Sequence, residues 1–116
     1  MKLTAAVAQY LDSLDRARTL SENSLRAYGK DLVALADFAL ANLVEDTAEL
    51  DTELCRSWVW AMAEAGMAPS SLRRKVSSLK GFTAWLAHSA HTEGDVGMRV
   101  RAPGANRSLP RVLTRR

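Results

Sequence analysis

The sequence is poor in the residues that staple or punctuate a fold: one cysteine, two histidines and three prolines in 116 residues. The lone Cys55 excludes an internal disulfide, which suits a reducing compartment, the cytosol by default. No Cys/His cluster has the spacing of a zinc site, so neither a metal nor another cofactor is expected. Apolar runs stay well short of the ~20 residues that a membrane span needs. Met1-Lys2-Leu3-Thr4 passes straight into amphipathic sequence without the apolar centre of a signal peptide, so a soluble protein with no membrane role is expected. Strand-type alternation is nearly absent. Catalytic groups are scarce too. His88 and His91 fall at a helix end beside a basic segment and read as solvated, with no nucleophile in reach. Cys55, with only Arg56 as a nearby cation, reads as a small core residue. The carboxylates Glu45, Asp46, Glu49 and Asp51 lack EF-hand spacing and read as a solvated connection.

The length fits one domain, able to bury roughly two thirds of its unfolded surface. Sixteen Lys and Arg against 13 Asp and Glu give a formal charge of +3, and its distribution matters more than its sum. Residues 1–92 hold 10 cations and 11 anions, a net of −1, whereas residues 93–116 hold 6 and 2, a net of +4. Within the nearly neutral part, residues 71–86 carry Arg73, Arg74, Lys75 and Lys80 and no carboxylate.

Apolar residues recur at three and four, predicting an all-α fold. Val7, Tyr10, Leu11 and Leu14 mark a helix over about 4–17, with Thr4 as its N-cap. Ser21 caps a second, with Leu20 and Leu25 at staple positions and a core stripe of Leu25, Tyr28, Leu32, Leu35, Ala36 and Ala39, running to about 41. Asp51 caps a third, through Leu54, Trp58, Ala61, Met62 and Ala65, and Gly66 suits the position just past its end. Pro69 opens a fourth, reaching about 89, whose core side is Leu72, Val76, Leu79, Phe82, Thr83 and Leu86. After Ala90 the periodicity stops, and Gly94, Gly97, Pro103, Gly104 and Pro110 punctuate a basic segment that reads as a linker lying off the core. The expected architecture is a compact four-helix bundle over residues 1–92 with a basic linker at 93–116.

Two helical faces are cationic. Asn23, Arg26 and Lys30 share one face of the second helix; Arg73, Arg74, Ser77 and Lys80 form a polar face on the fourth. Arg and Lys can meet phosphates, small Ser and Gly side chains let a backbone approach, and an α-helix fits the major groove. Helix N-termini attract phosphate as well, which gives Ser21, Ser24, Ser70 and Ser71 a role beside capping. Charge alone leaves other readings open: a solvated face, a protein-interaction module with an acidic partner, or a helix-turn-helix regulator. Trp58 falls on the third helix's core stripe, whereas Trp60 and Trp85 fall off theirs and are candidates for an interface.

The segments "LSENSLRAYGKDL" (20–32), "SSLRRKVSSLKGFTAWL" (70–86) and "RSLPRVL" (107–113), in this order and spacing, resemble the N-terminal core-binding domain of tyrosine recombinases of the phage-integrase family, nearest the bacterial Xer type. The resemblance covers about 3–113. It implies a SAM-like four-helix bundle forming one jaw of a clamp on duplex DNA, with the second and fourth helices approaching the major groove. The implied contacts are Ser24, Arg26, Tyr28 and Lys30, then Ser70, Arg73, Arg74, Ser77 and Lys80. It further implies a separate catalytic half joined through the basic linker, and a partner recombinase in a heterotetramer on a short recombination site. Gly29 and Gly81 depart from the pattern, which usually has longer, often basic residues there, and "GDVGMRV" lacks the Asn-Pro common after the fourth helix. Tyr10 and Tyr28 lie on or near apolar stripes and no His-x-x-Arg occurs, so this chain is expected to bind DNA without cutting it, the end after Arg116 falling before the catalytic half.

Overall fold

The computed structural model describes residues 1–103. Four helices follow in order, α1 (Leu3–Ala17), α2 (Glu22–Ala41), α3 (Thr52–Glu64) and α4 (Pro69–His88), with a single 3₁₀ turn at Thr47–Glu49 between α2 and α3. No strand forms among the described residues beyond an isolated bridge between Lys2 and Asp46. The all-α bundle predicted from periodicity is therefore present. Both α2 and α4 touch all three other helices and form its centre.

The helix starts follow local chemistry wherever a side chain can reach back. Ser21 Oγ accepts from Ser24 N–H at 3.1 Å, and Asp51 Oδ1 accepts from Leu54 N–H at 2.8 Å. Pro69 occupies the first turn of α4, where its missing N–H costs nothing. The predicted cap at Thr4 is not used. Lys2 takes the N-cap position of α1 and makes no side-chain cap; instead Leu3 N–H donates to the Glu45 carbonyl at 2.8 Å. A tertiary bond thus satisfies an amide that a side chain was expected to serve.

Three helices end in the same pair of bonds. Beyond α2, Leu43 N–H donates to Leu40 O and Val44 N–H to Ala39 O; beyond α3, Gly66 donates to Ala63 and Met67 to Met62; beyond α4, Ala90 donates to Ala87 and His91 to Leu86. This motif needs a left-handed residue at its turn. The φ values are 65° at Leu43, 89° at Gly66 and 61° at Ala90.

All six residues of the expected α4 stripe are buried, and Leu32, Leu35, Ala36 and Ala39 of α2 meet them with Leu3, Ala6, Val7 and Tyr10 of α1. On α3 the stripe is rotated. Cys55 and Val59 join Leu54 and Trp58 in the core, while the expected Ala61 and Ala65 are exposed. Tyr10, Phe82 and Trp85 form an aromatic cluster with ring centroids 5.6–6.3 Å apart, and His91 packs on Trp85 at 5.5 Å, so His91 is not the solvated group expected. Gly81 borders this cluster. A Cβ there would stand 2.5 Å from the Tyr10 hydroxyl oxygen.

Among the described residues one charged side chain, Asp31, is fully buried. Asp31 is 0% exposed on the face of α2 that meets α4, where Arg74 donates to it in a fork (2.8 and 3.2 Å), Lys75 at 2.7 Å and Ser78 at 2.7 Å. Burial pushes the Asp31 carboxyl up, but the hydrogen bonds from Arg74, Lys75 and Ser78, with the charge of Lys75, outweigh it and hold the group below its ordinary value.

The segment after α4 corrects the expectation that it lies off the core, at least as far as residue 102. Val100 is buried with the helices, and Val96 and Ala102 pack against them. Thr52 Oγ1 donates to the Val96 carbonyl at 2.7 Å, and Lys80 Nζ donates to the carbonyls of Met98 (2.9 Å) and Val100 (3.0 Å). Gly97 passes so close to α4 that a Cβ would stand 2.5 Å from Thr83 Oγ1. Residues 91–102 thus form a strap across α3 and α4. Periodicity missed it because the strap is held by isolated apolar residues and by carbonyls, which leave no repeat in the sequence.

Two outcomes test this packing. Asp31→Ala should cost about 3–5 kcal/mol in urea unfolding, because it leaves two cations without their shared partner. Since the folded pKa of Asp31 lies below its unfolded value of about 3.9, its contribution is complete above that value and fades as pH falls through the folded pKa; the alanine variant should lose this part of the acid transition. Gly81→Ala should destabilise by about 1–3 kcal/mol despite its better helix propensity. The same change in a Tyr10→Phe background should be neutral or stabilising, and a cycle with no coupling would show that the hydroxyl is not the obstacle.

Candidate nucleic-acid interface

The sequence-derived candidates divide between α2 and α4, which the Asp31 cluster holds side by side. On α2, Arg26 and Lys30 are exposed, with Arg26 donating to Asn23 Oδ1 at 3.2 Å. Ser24 and Tyr28 are half-buried, and Ser24 Oγ accepts from Ser21 Oγ at 3.1 Å. On α4, Ser70, Arg73 and Ser77 are exposed.

Arg74 and Lys80 have protein partners that the sequence did not disclose. The Arg74 fork is bound to Asp31, although its side chain remains 47% exposed and a guanidinium has five donors. Lys80 directs its ammonium at two strap carbonyls. Lys75, which the sequence placed in the same cationic run, faces inward to Asp31 and is mostly buried. The absence of carboxylates from residues 71–86 is therefore answered partly in space, since the acid that α4 lacks is supplied by α2.

The strap adds a cation that sequence reasoning missed. Arg101 lines, with Arg73, Ser77 and Lys80, a shallow hollow of about 330 Å³ between α4 and the strap. No spacing rule links residues 73 and 101; only the docking of Val100 places them together. Nearby chemistry is quiet. The Cys55 thiol is pushed up to about 12, by burial first and then by the charges of Asp51 and Asp95, so it stays a thiol at neutral pH. Burial, with the neighbouring Tyr28, also raises the Tyr10 phenol. Gly29, unlike Gly81, has room: a Cβ would meet Leu11 Cδ1 at an ordinary 3.5 Å. No helix among the described residues is long and apolar enough to cross a membrane. The "RSLPRVL" segment lies outside the described residues.

Comparison with known proteins agrees with this architecture. Residues 7–90 match the family described as phage integrase, N-terminal SAM-like domain. The chain is 38% identical over 109 residues to tyrosine recombinase XerC of Xanthomonas campestris pv. campestris (strain B100), covering 94% of this chain and 34% of that protein. It is 32% identical over 111 residues to XerC of Xylella fastidiosa (strain 9a5c), covering 96% and 38%. With XerC of Mycobacterium tuberculosis (strain ATCC 25177 / H37Ra) it shares 38% over 107 residues, 89% of this chain and 36% of that one. The chain thus spans about a third of the length of these curated relatives. No solved structure matches it. A four-helix bundle with this helix order and this sequence likeness places the chain in the family of phage-integrase N-terminal SAM-like domains, whose XerC-named tyrosine recombinases it resembles along nearly its whole length.

Proposed function

We propose that the chain binds duplex DNA as the N-terminal portion of a Xer-type tyrosine recombinase acting in the cytoplasm, in chromosome dimer resolution and segregation. The observation that carries the reading is the side-by-side packing of α2 and α4 with exposed Arg26, Lys30 and Arg73 and the half-exposed Arg74 on them. A convex double helix presents phosphates on both sides of its groove, and cations on two adjoining helices can meet both. Ser24, Ser70 and Ser77 offer hydroxyls beside these cations, and Tyr28 a phenol. Lys80 serves the same surface indirectly, by fixing the strap that carries Arg101.

In this reading residues 1–92 are the DNA-binding domain. Residues 93–116 lead to a catalytic portion that cleaves and rejoins strands, and the strap is the first part of that connection. A XerD-like partner completes a heterotetramer on the recombination site. No cofactor enters, because the work of this portion is positioning.

Two measurements test it. If Arg26, Lys30, Arg73 and Arg74 neutralise about four phosphates, log affinity for duplex DNA should fall against log salt with a slope near −3.6, and a flat response would sink the reading. Arg73→Glu, at an exposed site without a protein partner among the described residues, should weaken binding and flatten that slope by about 1 or more, with the helical circular dichroism unchanged. Arg74→Glu is a poorer probe because it places a second carboxylate beside Asp31 and perturbs the fold as well.

A further inference from the structure

The hollow between α4 and the strap gathers cations that no periodicity relates. Arg73, Ser77 and Lys80 of α4 line it with Arg101 of the strap and the apolar Val76 and Val100, and no carboxylate among the described residues lines it. Arg73 and Arg101 are exposed, and neither forms an ion pair among the described residues. Like charges gathered in this way repel, the more so beside low-dielectric walls. The strap therefore docks against electrostatic repulsion, and the hollow has the electrostatics of an anion site.

Four contacts hold the strap there. Val100 is buried among the helices, and Gly97 lies so close to Thr83 that no Cβ fits between them. Thr52 Oγ1 donates to the Val96 carbonyl, and Lys80 Nζ donates to the carbonyls of Met98 and Val100 at 2.9 and 3.0 Å. An ammonium has three protons, and Lys80 commits two of them to the carbonyls on either side of Arg99. The forks of Arg73 and Arg101 remain for a ligand.

We propose that the hollow is a phosphate subsite shared by helix and strap. Arg73 and Arg101 hold one backbone phosphate of duplex DNA between them, while Lys80 is a positioning residue that touches no phosphate and acts by keeping Arg101 in place. The bound phosphate cancels the repulsion between strap and helix, so DNA binding and strap docking strengthen one another by the same factor. Binding thereby fixes the point from which the connection to the catalytic portion departs. This inference rests on the DNA reading above. A phosphate is favoured over the carboxylates of a protein because the hollow adjoins the face of α4 that this reading already gives to DNA, so a backbone crossing Arg73 reaches Arg101 without a new surface.

The test pairs affinity for a short mixed-sequence duplex at low salt with hydrogen exchange of the 116-residue chain. Arg101→Gln should weaken binding about tenfold, the scale of one charge-assisted hydrogen bond at a partly exposed site. Lys80→Met should weaken it by a similar factor, and the double variant by no more than either single change. Gly97→Ala, which dislodges the strap from the side of Thr83, should reproduce the Lys80→Met result. The amides of Met98 and Val100, bonded to the carbonyls of Asp95 and Gly97, should exchange about tenfold more slowly in saturating DNA, in the parent but not in Arg101→Gln. Losses that add would mean that Lys80 meets DNA itself and would overturn the proposal. An Arg101→Gln variant that binds like the parent, or strap exchange indifferent to DNA, would overturn it as well, leaving the DNA reading intact. Polyglutamate that slows strap exchange as much as DNA would reassign the hollow to acidic proteins. A parent chain without salt-sensitive duplex affinity would remove the DNA reading and this inference together.

Discussion

The Asp31 carboxylate, buried between α2 and α4, is the constraint around which the remaining structure is arranged. A carboxylate out of water is tolerable only when fully paired, and this one receives a guanidinium fork, an ammonium and a hydroxyl from three residues within little more than one turn of α4. Apolar stripes alone allow neighbouring helices to slide by a residue at modest cost. A buried charge with directional partners does not, because any shift leaves a cation or the carboxylate unmatched. The cluster therefore fixes the register of α4 on α2, and with it the relation between Arg26 and Lys30 on one helix and Arg73 on the other.

The cations of α4 consequently have three different occupations. Lys75 and part of Arg74 neutralise Asp31, Lys80 holds the strap, and Arg73 faces solvent with Ser77. A run of like charges is thus not one surface, because helical geometry sends neighbours in different directions and tertiary partners then take some of them. The strap in turn brings Arg101 to the side of Arg73, extending the cationic region beyond the helices that define it in sequence.

The two mid-helix glycines have different physical meanings. Gly81 leaves room for the Tyr10 hydroxyl at the edge of the aromatic cluster, so its lack of a side chain is a packing requirement. Gly29 meets only ordinary van der Waals distance and has no such requirement. At the helix ends the asymmetry is reversed: a conformation that glycine adopts freely is held by Leu43 with its side chain in solvent.

The sequence by itself determined the four helices, most of their ends and nearly all of their buried faces. Those depend on the 3.6-residue period and on caps such as Ser21 and Asp51, whose partners lie three residues away. It was less sure where the stripe is narrow, as on α3, where the period alone does not choose between Val59 and Ala61. Cationic faces were legible as faces, since like residues at helical spacing must share a side. Which of those cations are occupied was decided only by the tertiary structure, because Asp31 lies 43 residues from Arg74 and the Met98 carbonyl 18 from Lys80. The strap was hidden for the same reason. Its contacts are single residues and backbone carbonyls meeting distant side chains, and such pairings carry no periodicity along the chain.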